Sequence, residues 1–381
     1  MATSSWSPKD IKPGGWLFII LILAGIFWFG IKPHLAPGAG GTASVSTPTD
    51  AVAKSGSPAG TNAQGTVLFL TTKTNLPWIQ QQVDAFNQTN PGFGIRVDTL
   101  ATREAMQGIH NHTAQPTIFN PSTQLWLTRI SDLDHYVDNT SADYKVLFKS
   151  PLVILTTKQN LPRIQRIFQG DNAWETVSQM SKSGKLHFSF ADPINASSGT
   201  LTMSMMLREY AKRSGKTNLV AAANSAGFKS FLSDITAGWV RANTQKSADL
   251  EKAYITDQSG RDFITAYEAA AIKAANDNPN LAFVYPSPTV DANQAAAILK
   301  APWVTDEQRR NAEQFLAFLG TAEQQAKAAD FNFRPIVNGA GELETRVKGP
   351  AAASFQTSYL SVELCPYAAL NDAAAVWNGI R

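Results

Sequence analysis

The chain has 381 residues, 44% hydrophobic and 17% charged, with 33 basic against 30 acidic residues and a formal net charge of +3. That apolar content supports packed cores and excludes a disordered chain. The near-balanced charge argues against a nucleic-acid binder, which carries a basic excess or stripe. One cysteine, Cys365, excludes an intramolecular disulfide framework and a thiolate metal cluster, and five histidines leave little material for a His-rich metal centre.

The N-terminus sets the compartment. Residues 16–31 read WLFIILILAGIFWFGI, an uncharged and almost wholly apolar run. As a helix it spans roughly 24 Å. Lys9 and Lys12 precede it and Lys32 follows, a bias that places the N-terminus inside. A cleaved signal peptide is the rival reading, but the core is slightly long for one and KPHLAPGAG offers no clean cleavage motif. The preferred reading is an uncleaved transmembrane signal anchor over 16–32, with 1–15 cytoplasmic and everything after it exported. Residues 33–65 form a flexible linker: Ala, Gly, Ser, Thr and Pro supply 24 of the 30 residues in 36–65.

From Thr66 onward, strands and helices alternate. VLFLTT (67–72) reads as a buried strand and 76–86 as a helix with Asn75 as N-cap and Pro77 in its first turn. GIRVDTL (94–100) and PTIF (116–119) read as strands, with a helix at 104–109 between them, and 123–136 as a helix. SPLVILTT (150–157), KLHFSFAD (185–192) and LAFVYP (281–286) read as further strands, and 200–213 as a long helix. Thr305 with Gln308 forms a capping box for a helix from 305, and Thr321 with Gln324 repeats it. This alternation implies parallel α/β sheets. About 300 such residues exceed one core, so two lobes are expected.

In open α/β sheets, ligands bind where strands end and helices begin. Four such junctions carry hydroxyls: Thr72, Lys73 and Thr74; Thr102 and Arg103; Ser122 and Thr123; and Ser197, Ser198, Gly199 and Thr200. Helix N-termini present free N–H groups and suit an anion or an oxygen-rich ligand. Singly, each hydroxyl is an ordinary helix cap, but four alike point to one shared cleft. Tyr267 and Glu268 sit at a strand end, suited to contacting ligand or bracing a hinge. Lys73 and Arg103 could supply positive charge.

Several segments together resemble the type 2 periplasmic solute-binding proteins of the molybdate- and sulfate-binding group, a type also found beside von Willebrand factor A domains. They are TREAMQGI with PTIFNPSTQLWL, FKSPLVILTTKQ, FADPINASSGTLTM, DFITAYEAAAI, VYPSPTVDANQAAAILKAPWVTDEQRRNAEQFLAFL and FRPI. Ala101-Thr102 replaces the family's Ser-Gly pair, and TVDANQAA lacks its His-Pro. The resemblance implies an α/β fold of two lobes joined by crossings near Ser150–Leu152 and Val284–Pro286, with Tyr285 at the second. Lobe I would comprise 66–150 and 286–365, lobe II 151–285, and 366–381 a C-terminal tail. It implies capture of a small polar or anionic solute for an ABC-type transporter or receptor, without catalysis, metal or cofactor.

The alternative is an interaction module of the same fold that recruits a protein partner, such as a von Willebrand factor A protein. An enzyme is the weakest reading. SGKT (214–217) has Tyr210 where a P-loop needs glycine, and no G-x-S-x-G occurs. His110 and His112 lack sequence-near carboxylates for a metal site. Asp132, Asp134 and His135 read as a solvated helix end, and Cys365 as a buried small apolar residue.

Overall fold

Val67, Phe69 and Leu70 are all buried, so β1 (Val67–Thr71) is a strand covered on both faces. The computed structural model describes residues 65–92, 94–137, 144–241, 246–337 and 340–381. The segment 16–32 lies outside them. Among the described residues no helix is long and apolar enough to cross a membrane.

After β1 come α1 (Leu76–Thr89), β2 (Ile95–Thr99), α2 (Thr102–His110), β3 (Ile118–Phe119) and β4 (Tyr144–Thr157). The next stretch holds α3 (Leu161–Phe168), α4 (Ala173–Lys182), β5 (Phe188–Ser189), α5 (Ser197–Arg213), α6 (Leu219–Ala223), α7 (Ala226–Thr236) and α8 (Ser247–Thr256). It ends with β6 (Phe263–Tyr267), α9 (Glu268–Asp277) and β7 (Leu281–Val284). Then follow β8 (Thr289–Ile298), α10 (Asp306–Leu319), α11 (Ala322–Ala328), β9 (Arg334–Pro335), α12 (Ala340–Arg346), β10 (Ser361–Val362) and α13 (Tyr367–Asn378).

Two sheets share one strand. In the first lobe β1 pairs parallel with β2 and β3, and β8 joins antiparallel between β3 and β4. β4 runs on into the second lobe. Tyr144 to Pro151 face β8, while Leu152 to Thr156 face β6 and Ile154 to Thr157 face β7, all antiparallel. Among the described strands, the all-parallel expectation therefore holds only for β1–β2, β1–β3, β5–β6 and β8–β10. Outward and return crossings run in opposite directions, so pairing between them is antiparallel. Phe69, Trp78, Phe86, Phe148, Phe315 and Phe333 fill one side of the first sheet, and Phe168, Trp174, Phe188 and Phe263 one side of the second.

Local expectations are corrected at several points. Residues 124–128 and 130–133 are two 3-10 turns rather than one helix, and Asp134 and His135 take left-handed φ of 49° and 60°, which ends any helical run. The strand expected over 185–192 shrinks to β5. β8, absent from the sequence reading, is alanine-rich with polar residues inside, so it lacks an apolar run. The Asn75 side chain does not cap α1, and the Thr321 hydroxyl donates to Phe318 O at 2.9 Å instead of capping α11. The largest correction concerns the C-terminus. Residues 366–381 are no tail, and the chain leaves the first lobe before 365. Leu343, Val347 and Ala351 pack with Ile272 and Ala275, and α13 buries Leu370, Ala373 and Trp377 in the second-lobe core. The Trp377 ring lies 5.0 Å from Phe190 and 5.1 Å from Trp239. Burying that apolar face outweighs leaving it as a free end.

Candidate functional site

The turn after β2 starts α2 at Thr102, and Glu104 accepts a hydrogen bond from Ala101 N. The turn after β3 carries Ser122. In the second lobe, the loop after β5 starts α5 at Ser197. These three hydroxyls meet. Thr102 Oγ1 lies 3.0 Å from Ser122 Oγ and accepts from Ser122 N, and Ser122 Oγ lies 2.5 Å from Ser197 Oγ. The Trp126 indole N–H donates to Ser197 Oγ at 2.7 Å. Arg103 makes a second link between lobes, donating from Nη1 to Asn195 Oδ1 at 2.7 Å and to Ile194 O at 3.3 Å. Residues from the two lobes thus converge at the N-termini of α2 and α5, where backbone dipoles favour negative charge.

An amide network holds the Ser122 turn from behind. Asn75 Nδ2 donates to Asn120 Oδ1 and to Gln294 Oε1, each at 3.0 Å, and Thr71 Oγ1 donates to Asn120 Oδ1 at 2.7 Å. Gln294 Nε2 donates to Ser122 O at 2.6 Å, which ties β8 to the site. On residues of this network or next to them in the chain lie buried polar atoms without a hydrogen-bond partner: Thr72 Oγ1, Asn75 Oδ1, Thr123 Oγ1 and Asn293 Oδ1. Buried polar groups left unpaired are costly, so their concentration here suits a site that takes up a polar guest.

Burial raises the Tyr267 phenol, with the nearby Glu251 carboxylate adding to the effect, so it remains a neutral donor beside Ser197. Burial pushes the Glu251 carboxyl up to about 8, opposed only by a hydrogen bond with the Tyr267 backbone. Since this folded-state value exceeds the unfolded one, the native state is favoured most at low pH. Stability then falls by about 1.4 kcal/mol per pH unit between the unfolded value and about 8. Melting temperature should therefore fall on going from pH 5 to pH 8, and Glu251→Gln should flatten that slope. A slope unchanged by Glu251→Gln would refute the assignment.

Other expected site residues serve different ends. Lys73 and Thr74 are exposed and take no part in the network. Ser198 Oγ bonds Ser247 Oγ at 2.7 Å, and Thr200 Oγ1 donates to Pro193 O at 2.9 Å, bracing the loop that precedes it. Gly199 is a packing residue, since a Cβ there would lie 2.1 Å from Ala191 O. Glu268 and Tyr285 are taken up by a buried ion pair. Arg334 donates from Nε to Glu268 Oε2 at 2.7 Å and from Nη2 to Oε1 at 2.6 Å, and the Tyr285 hydroxyl donates to the same Oε1. Burial raises the Glu268 carboxyl while the Arg334 and Tyr285 bonds oppose it. Asp134, distant from His110 in sequence, accepts it at 2.8 Å. His112 turns to the Tyr136 hydroxyl, and the described residues form no group of three metal-ligating side chains. Cys365 is buried, as its composition suggests.

The model of a family described as bacterial extracellular solute-binding proteins matches residues 70–334, most of the chain. The chain belongs to this family. Like other solute-binding proteins it binds its target rather than turning it over, and its described body has the family's two-lobed mixed α/β fold. Its fold is similar to the sulfate-binding protein SubI of Mycobacterium tuberculosis H37Rv, with TM-score 0.57 and 15% identity over 81% of this chain and 95% of that one. It is also similar to an ABC-transporter substrate-binding protein of Agrobacterium tumefaciens, with TM-score 0.58 and 14% identity over 84% and 95% of the two chains. A ferric-binding protein of Campylobacter jejuni gives TM-score 0.59 and 11% identity over 82% and 99%. No curated protein matches the sequence. Trp126, Asn75, Gln294 and Glu251, which lie in or beside the hydroxyl cluster and its network, are not among the residues expected from the sequence. A polar side chain beside an apolar stretch, as at Gln294 before Ala295–Ile298, is the signal that could have found that residue.

Proposed function

We propose that this solute-binding protein captures an oxyanion of the sulfate or molybdate class between its lobes and presents it to an ABC-type transporter. The supporting observation is the convergence of Thr102, Ser122, Ser197 and the Trp126 N–H, from both lobes, at two helix N-termini. The donors are neutral, and Arg103 adds positive charge beside them. A ferric ion demands several anionic oxygen ligands, which this cluster lacks. In the bound state the guest replaces the direct Ser122–Ser197 contact, so both lobes hydrogen-bond to it and closure reports occupancy. We further propose that 16–32 anchors the protein in the membrane and that 33–65 tethers the binding body outside the cytoplasm.

Calorimetric titration of the full chain, in detergent, with sulfate, molybdate and ferric citrate tests the reading. Sulfate or molybdate should bind with at least tenfold preference over the ferric complex. Binding of iron alone would overturn the proposal.

A further inference from the structure

We infer that the guest is an organic oxyanion, a sulfonate or phosphonate whose ring-sized apolar body occupies a cavity beside the hydroxyl cluster. The inference rests on the oxyanion reading above. A cavity of about 200 Å³ opens between the lobes, walled by Arg103, Leu125, Trp126, Arg129, Tyr367 and Leu370. It adjoins the hydroxyl cluster, because Arg103 follows Thr102 directly and Trp126 bonds Ser197. A dry cavity of about 150 Å³ already holds benzene, so this one admits a ring.

The chemistry of the walls is mixed in a way that inorganic sulfate cannot use. Leu125 and Leu370 offer apolar surface, and Trp126 and Tyr367 offer aromatic faces. The Arg129 guanidinium lies 5.1 Å from the Trp126 ring centroid and 4.6 Å from that of Tyr367, while Asp132 pairs with it at its outer end. Arg129 Nε has no hydrogen-bond partner. A small inorganic ion satisfies the hydroxyls and leaves the apolar wall wet. A ligand with an oxyanion head and an apolar body satisfies both.

The wall on one side is supplied by α13. Tyr367 and Leu370 lie beyond residues 70–334, the stretch that the family model matches. This wall, supplied by α13, is apolar and aromatic.

Titration of the full chain, in detergent, with benzenesulfonate and with sulfate separates the outcomes. Benzenesulfonate should bind at least tenfold more tightly than sulfate. Asn371→Trp, on an exposed position of the cavity rim, should bring that ratio close to one, and Ala375→Trp should do the same. Circular dichroism confirms that each variant is folded. Equal affinities, or a preference that both tryptophans leave intact, would overturn the inference while the oxyanion reading stands. Failure of both anions to bind would overturn both.

Discussion

Replacing Arg334 with methionine is expected to lower the free energy of unfolding by about 3–5 kcal/mol, because it leaves the Glu268 carboxylate buried without its partner. The two side chains are 5% and 0% exposed. At that burial solvent does not reach the carboxylate to replace the two Arg334 donors, and Tyr285 alone remains. Arg334 also donates to Thr357 O and Gln356 O, and its guanidinium lies 4.7 Å from the Tyr359 ring centroid, so the segment around 355–359 loosens with it. The pair joins β9, which lies on the first sheet, to the start of α9 in the second lobe, and Tyr285 follows β7 at the return crossing. Urea denaturation measures the loss. The double variant Arg334→Met with Glu268→Gln should regain most of it, since no uncompensated charge is then buried. If the single variant loses less than about 1 kcal/mol, the brace is not structural.

The second large effect concerns binding. Ser122→Ala with Ser197→Ala should weaken oxyanion affinity at least about a hundredfold. Each hydrogen bond to a charged ligand contributes about 1.5–3 kcal/mol, and two are removed. The substitution also strips the Trp126 N–H of its acceptor, costing about 1–3 kcal/mol of stability. Affinity therefore has to be measured well below the melting temperature of the variant. Unchanged affinity in a folded double variant would place the guest elsewhere.

What could be read from the chain alone depended on how local each signal was. The Thr305–Gln308 box is a four-residue pattern, and both of its hydrogen bonds form, at 3.0 and 3.2 Å. β1 is an apolar run bounded by turn residues and appears where expected, whereas the expected strand 150–157 is only the second half of β4, which begins at Tyr144 in the more polar stretch YKVLFK. The hydroxyl-bearing turns were visible because helix starts favour serine and threonine, but which of them would meet was not. Thr102, Ser122 and Ser197 come together, whereas Lys73 and Thr74 stay apart from them. Asn75 looked like a cap because it precedes a helix; its partners, Asn120 and Gln294, are 45 and 219 residues away. Glu251 gave no signal either, since only the folded chain sets it beside Tyr267. The apolar face of α13 was legible in principle, as Leu370, Ala373 and Trp377 fall on one helical stripe.

β4 belongs to both sheets without a break. Unravelling either half strips the other of its central ladder, so the halves melt together as a single cooperative event. A cut between Pro151 and Leu152 would part β1–β3 and Tyr144–Pro151 from β8, leaving raw strand edges prone to sticking to other chains.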